Sequence, residues 1–428
     1  MQAYRAAILR FIDRQAVYHS DGLLVVGDDG LITAVGDYAS LRPQFAHVPT
    51  EHCAGRILTA GFVDMHVHYP QIDVIGSPAD GLLPWLNDYT FPEEKTFNVI
   101  AKASSTAQFF IAQLLRNGVT TALTFATSHV ESVNALFDEA QKNNLRLITG
   151  KCLQDRNCPD GVRDETEQSL IDTEDLIAKW HGKGRLGYAI TPRFAPTCSD
   201  AQLRGAGQIA AKHPSVWIQS HVAENTDEIA WAKELFPRSR SYLGVYDDFG
   251  LLRARSVYAH CIHFDADDRS LMRARGAAAA VCPTSNLFLG SGNFDFAAAR
   301  ASGMVHGLAS DVGGGTSLSP FKTMLAAYCV GRSTSQHAGL PKAAVSLAPS
   351  DLWWQHTAGA AAALGLEGVV GNLAVGAEAD FLLLNPQATP YLARKTALSN
   401  SLEELLFAMI VLGDDRLVEK TAILGKFG

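Results

Sequence analysis

The stretch Gly61-Phe62-Val63-Asp64-Met65-His66-Val67-His68-Tyr69-Pro70-Gln71 decides how the rest of the chain is read. Successive strand side chains point to opposite faces, so an extended segment here sets Asp64, His66 and His68 on one side and leaves Phe62, Val63 and Val67 for packing. Two imidazoles on one face make half a metal site. Alone, His-x-His fits a polar strand end or a hydrogen-bonded pair equally well, and the discriminating signal lies downstream. His221 closes the apolar run Trp217-Ile218-Gln219-Ser220, His260 closes Val257-Tyr258-Ala259, and Asp311 closes Leu308-Ala309-Ser310. Ligand-type residues at the C-terminal ends of successive strands are the layout of a barrel active site, where chemistry gathers at one rim.

Working outward, the intervening chain alternates short β-like runs with helical patterns, the rhythm of a (β/α)8 TIM-like barrel. Strands are expected to end near His68, Ala126, Leu153, Phe194, Val222, His263, Ser285 and Gly313, with helices over residues 102–116, 132–143, 174–180 and 200–212; a doubly wound open sheet is the lesser alternative. Before the barrel, Leu23-Leu24-Val25-Val26 and Leu31-Ile32-Thr33-Ala34-Val35 flank Asp29-Gly30, a hairpin signature. A lone hairpin is not stable. Its partners are expected at the far end, in Ala379-Asp380-Phe381-Leu382-Leu383-Leu384 and Leu417-Val418-Glu419-Lys420-Thr421-Ala422-Ile423-Leu424. The expectation is a small β-sandwich domain built by both chain termini, residues 1–58 with 370–428, beside a barrel over 59–369.

Composition narrows the partners. The 428 residues are 47% hydrophobic and 19% charged, enough for a large core. A formal net charge of −8, with no lysine or arginine run, argues against nucleic acid or an anionic membrane surface and favours a small, weakly charged substrate. No apolar run reaches membrane-spanning length and the first residues do not form a signal peptide, so a cytoplasmic location is expected. Seven scattered cysteines without Cys-x-x-Cys indicate neither a disulfide framework nor a thiolate zinc site.

Neutral imidazoles with one carboxylate suit Zn²⁺ or another divalent first-row ion, with water in the remaining position. Asp311 can both bind the ion and accept a proton from that water. Glu224, just beyond the His221 strand end, can shuttle a proton to a substrate nitrogen, although a solvated acid near a helix start is the plain alternative. The fourth strand, Gly187-Tyr188-Ala189-Ile190-Thr191-Pro192-Arg193-Phe194, carries no lysine that could be carboxylated to bridge two metals, so one ion per subunit is expected; Lys151 reads as structural. Arg193 can donate to a ring carbonyl. Gln71, Leu83, Trp85 and Asn87 can enclose a flat heterocycle.

These residues, with the closing Gly371-Asn372-Leu373-Ala374-Val375-Gly376-Ala377-Glu378-Ala379-Asp380, resemble the amidohydrolase superfamily over most of the chain. More narrowly, His68-Tyr69-Pro70-Gln71, Leu83-Pro84-Trp85-Leu86, Tyr89-Thr90-Phe91-Pro92-Glu93-Glu94, Asp155-Arg156-Asn157-Cys158-Pro159-Asp160, Ile190-Thr191-Pro192-Arg193-Phe194-Ala195 and His221-Val222-Ala223-Glu224-Asn225 resemble its guanine deaminase family. The resemblance implies zinc-dependent conversion of guanine to xanthine and ammonia. It makes His66, His68, His221 and Asp311 the metal ligands, His260 the residue that orients the water or the tetrahedral intermediate, and Glu224 the acid that protonates the ring nitrogen and helps expel ammonia. It places Gln71, Arg193 and Phe194 on the purine and implies a homodimer. Met65, Ala60 and Cys158 depart from the family's usual threonine, proline and alanine, and none is a ligand.

Three rivals stand beside this reading. A deaminase of the His-x-Glu, Pro-Cys-x-x-Cys architecture is excluded because no Cys-x-x-Cys occurs. Another mononuclear amidohydrolase, deaminating or dechlorinating an adenosine-like or triazine-like heterocycle, differs in what Arg193 would have to recognise. A non-catalytic assembly module would have lost ligands, and here all are present.

Overall fold

The structure, a computed structural model, describes residues 1–333 and 343–428. The Asp29-Gly30 turn forms, with Gly30 at φ +79°, a left-handed conformation that glycine adopts without a Cβ clash. It joins β2 (Gln15–Val26) to β3 (Ile32–Asp37), antiparallel neighbours; β1 (Gln2–Ile12) pairs antiparallel with β2 and parallel with β4 (Thr50–Ala60).

The barrel strands follow: β5 (Phe62–His68), β6 (Val119–Phe125), β7 (Arg146–Gly150), a short β8 (Cys152–Leu153), β9 (Gly187–Pro192), β10 (Trp217–Val222), β11 (Ser256–His260), β12 (Ala278–Val281) and β13 (His306–Leu308). They pair in parallel in the order β5-β6-β7-β9-β10-β11-β12-β13, with β8 alongside β9. The ring closes at its C-terminal rim through two backbone bonds, Asp311 N–H to His66 O (2.9 Å) and His68 N–H to Val312 O (2.7 Å). Closure therefore brings the first and last ligand-bearing segments into direct contact.

After the barrel come β14 (Phe381–Leu384), β15 (Val418–Ile423) and β16 (Lys426–Phe427), and β14 pairs antiparallel with β4. The resulting sheet, β16-β15-β14-β4-β1-β2-β3, draws strands from both ends of the chain. Its Tyr4, Ile8, Leu24, Leu58, Phe381 and Leu383 pack into one apolar cluster.

Helices cover the barrel by burying one stripe each. In Ile100–Arg116 the buried residues are Ala103, Thr106, Ala107, Phe110, Ile111 and Leu114, a spacing of three and four along one face. Asp200–Lys212 has the bounds the sequence predicts, started by Ser199 Oγ accepting from Gln202 N–H. Thr166–Trp180 begins earlier than predicted because Ser169 and Thr173 fill its first inward positions, so its apolar period starts late. Leu402–Leu412 is not evident from the sequence: the unbroken apolar run Leu405-Leu406-Phe407-Ala408-Met409-Ile410-Val411-Leu412 leaves no polar face to reveal the helical period, and the helix packs on Pro320–Arg332.

Candidate active site

Four strand ends deliver five polar residues to one point. His66 and His68 end β5, His221 lies in β10, His260 ends β11, and Asp311 follows β13. His68 Nε2 lies 3.1 Å from His66 Nε2 and 3.2 Å from His221 Nε2; Asp311 Oδ1 lies 3.1 Å from His66 Nε2 and 3.4 Å from His68 Nε2. The motif does not alternate simply, because the register of β5 against β6 shifts between Asp64 and Val67. Met65 consequently packs in the barrel's inner apolar cluster, and Asp64 accepts from Ser310 N–H (3.0 Å) and His66 N–H (3.2 Å) rather than joining the ligand group. Asp64 thus ties β5 to the Asp311 segment from beneath. Burial pushes its carboxyl up to about 6.

The donor set fits a divalent cation. One ligand atom from each of His66, His68, His221 and Asp311 lies within 4.8 Å of the others. His221 Nδ1 is 2.6 Å from the Arg193 carbonyl oxygen, which can only accept, so Nδ1 carries the hydrogen and the Nε2 lone pair faces the cluster. Burial holds His68 down to about 4 and, reinforced by the neighbouring imidazoles, keeps His221 well below its usual range. Burial opposes the charge on Asp311, but His66, His68 and His260 outweigh it and hold the group well below the carboxylate range. Neutral imidazoles at His68 and His221 and an ionised carboxylate at Asp311 are states that metal binding requires. His260 and Asp311 have φ of +74° and +51°, left-handed values rarely taken by residues with a Cβ and common at functional sites. Gly315 makes the chain reversal after Asp311 possible: a Cβ there would lie 1.8 Å from Ser310 O.

Beside this cluster opens a pocket. Leu82, Trp85, Leu86, Phe194 and Leu289 form its apolar walls, and Gln71, Arg193, Glu224, Glu228, His260 and Asp311 its polar ones. Arg193 and Glu94, both buried, form a forked pair (2.5 and 3.1 Å), and Gln71 Nε2 donates to the same carboxylate (3.0 Å). Burial works against the Arg193 charge, and the Glu94 carboxylate more than restores it. Glu224 Oε2 stands 3.3 Å from His260 Nε2 and Oε1 accepts from Ser291 Oγ (3.2 Å). Burial, then the Asp311 charge, push the Glu224 carboxyl up to about 8. Glu228 accepts from the Glu224 and Asn225 amides (3.1 and 3.2 Å) and from Tyr242 Oη (2.6 Å), and burial with the Glu224 charge pushes it up to about 7.

The residues singled out from the sequence, His66, His68, His221, His260, Asp311, Glu224, Gln71, Trp85, Arg193 and Phe194, therefore converge on one cluster and pocket. Leu83 and Asn87 do not. Asn87 is exposed and donates to Leu83 O (3.1 Å), while Leu82, Trp85 and Leu86 share the inward face. Lys151 is buried in an ion pair with Asp164. Sequence reasoning missed Glu94, Glu228, Asn286 and Ser291. Helical spacing could have selected Glu94 over Glu93, since Thr90, Phe91 and Glu94 are the buried face of that turn. Asn225 with Glu228 is a capping box, a visible signal for Glu228. Asn286, whose Oδ1 accepts from His260 Nδ1 (2.9 Å), and Ser291 carried no pattern.

A barrel with this ligand set at its C-terminal rim, whose residues 57–427 match the amidohydrolase family, belongs to that family. Within it, the chain is 39% identical to guanine deaminase of Escherichia coli (strain K12) over 98% of this chain and 92% of the relative. The solved E. coli guanine deaminase superposes with a TM-score of 0.94 at 37% identity, covering 100% of this chain and 99% of that one. Guanine deaminase from C. acetobutylicum, solved with bound guanine in the active site, gives 0.91 at 31% identity, covering 100% and 99%.

Proposed function

We propose that the chain hydrolyses guanine to xanthine and ammonia, using one zinc ion per subunit held by His66, His68, His221 and Asp311. The names of its relatives support the substrate. The observation that carries the chemistry is the buried carboxyl of Glu224, 3.3 Å from His260 Nε2 and inside a pocket that also presents Arg193; burial raises it toward the protonated form. When bound, the ion supplies Lewis acidity that brings a water's pKa near neutral. Asp311 accepts a proton from that water as its oxygen adds to the ring carbon bearing the amino group, and His260 orients it. Glu224 protonates the adjacent ring nitrogen. The resulting hydroxyl then gives up its proton and the amino group gains one, so the C–N bond breaks and ammonia leaves.

Specificity follows from the opposite wall. Arg193 offers five N–H donors and gives only part of them to Glu94, which leaves capacity for a ring carbonyl that guanine has and adenine lacks. Gln71 supplies a further amide, and Trp85 and Phe194 supply flat apolar faces. The reading extends to a cytoplasmic homodimer, with residues 1–58 and 370–428 as the composite β-domain and 59–369 as the barrel. No helix among the described residues is long and apolar enough to cross a bilayer. Ammonia release from the metal-loaded protein, with guanine, adenine and an aminotriazine side by side, tests the proposal. Release from guanine alone supports it. Release from another amino-heterocycle and none from guanine sinks the substrate while leaving the metal chemistry intact.

A further inference from the structure

The two oxygens of Asp311 face different neighbours. Oδ1 lies against His66 and His68, whereas Oδ2 lies 3.8 Å from His260 Nε2. A second convergence of donor atoms sits on that side: one atom each from His260, Cys282 and Asp311 lies within 4.8 Å of the others, and all three residues are buried. His260 Nε2 makes no hydrogen bond of good geometry, although Glu224 Oε2 is 3.3 Å away. Its other nitrogen is committed to Asn286 Oδ1, so Nε2 is the ring atom left to face the cluster. The catalytic reading employs His260 and Asp311 but leaves the Cys282 thiol without a task; the thiol donates only to the Ala280 carbonyl (3.4 Å).

We propose that His260, Cys282 and Asp311 form a second, inhibitory site for a thiophilic divalent cation, with Asp311 bridging it to the first ion. An imidazole, a thiolate and a carboxylate oxygen select soft or borderline cations such as Cd²⁺ or excess Zn²⁺ over Mg²⁺ and Ca²⁺. Carboxylate-bridged pairs with ions about 3.5–4 Å apart are a common arrangement in two-metal sites. Binding breaks the Cys282 S–H bond and forms the metal–sulfur bond; Cys282 itself is buried, and its proton passes to solvent by way of His260 and Asp311, which line the pocket. The ion withdraws His260 from the water it orients and places positive charge beside Glu224. Inhibition rests on the proposed reaction; occupancy does not.

The test adds CdCl2 to protein carrying one zinc and follows bound cadmium and zinc, the thiolate-to-cadmium ultraviolet band, and ammonia release. The expected result is a second ion bound without loss of zinc, appearance of the band, and turnover reduced at least about a hundredfold, as the loss of an acid–base partner entails. Cys282→Ala retains its turnover without cadmium, shows no band, and withstands much higher cadmium. Cys282→Ser serves the same purpose should the alanine variant fold poorly. Cadmium that simply replaces zinc one for one, a failure of the wild type to take a second ion, or a band that persists in Cys282→Ala each overturns the site. A second ion and a Cys282-dependent band with no effect on ammonia release keep the site and refute the inhibition.

Discussion

The barrel's interior holds two layers of side chains donated by the same strands and governed by opposite rules. The deeper layer, with Val63, Met65, Leu123, Ile148, Ala189, Val257 and Ala278, is apolar and buried. The layer at the rim, with His66, His68, His221, His260 and Asp311, is polar, strained at His260 and Asp311, and held in shape by Asp64, Asn286 and the Arg193 carbonyl. The deeper layer gains stability from each buried methylene, about 0.8 kcal/mol apiece, whereas the rim spends desolvation to keep donors aimed at one point. One β-strand can serve both because β5 shifts register between them.

Substitutions should therefore separate the layers. The largest effect on chemistry comes from the rim: His66→Ala is expected to lose both bound metal and ammonia release while its far-ultraviolet circular dichroism stays native. Full metal content and turnover in that variant would remove the ligand assignment. Glu224→Gln is expected to keep its metal and lose about two to four orders of magnitude in kcat, the span for an acid–base group. Wild-type kcat there would put the proton shuttle elsewhere.

The deeper layer should respond the other way. Leu123→Ala removes a fully buried side chain and is expected to cost about 2–5 kcal/mol in denaturant unfolding while the folded fraction keeps its kcat. A normal midpoint with depressed kcat would show that the layers are not separable.

The smallest effect concerns pH. His356 lies under the deep layer, its Nδ1–H donating to Val63 O (3.0 Å), and burial depresses it to about 4. The folded state therefore keeps this imidazole neutral where the unfolded chain, near 6.5, binds a proton. The associated stability is complete above about pH 6.5 and drains away as pH falls toward 4. Between pH 7 and 5 the wild type should lose about 2 kcal/mol more than His356→Asn, which can still donate to Val63. Equal losses would show that His356 does not titrate with unfolding.

How much of this was legible in the sequence follows the same division. Strands ending in His or Asp announced the rim, and strands and helices with one inward stripe announced the barrel. Residues that act through a backbone group or a neighbour left weaker traces. Asp64 shares the motif's spacing yet anchors Ser310 instead of binding metal, a result of the register shift that no side-chain pattern encodes. Leu83 was chosen over Leu82 and Leu86 because the turn's inward face depends on where the helix begins. Arg193 was visible as a guanidinium but not as half of a pair, since Glu94 reaches it from a distant segment.

The sheet built from both chain ends bears on synthesis. Ala60 in β4 pairs with Phe381 in β14. On a ribosome elongating at about 5–20 residues per second, β4 waits on the order of 15–60 seconds with one edge open before its neighbour emerges. The nascent barrel can close in that interval, but an unpaired strand is a template for another chain. Crowded polysomes thus become the place where this protein is most exposed to aggregation.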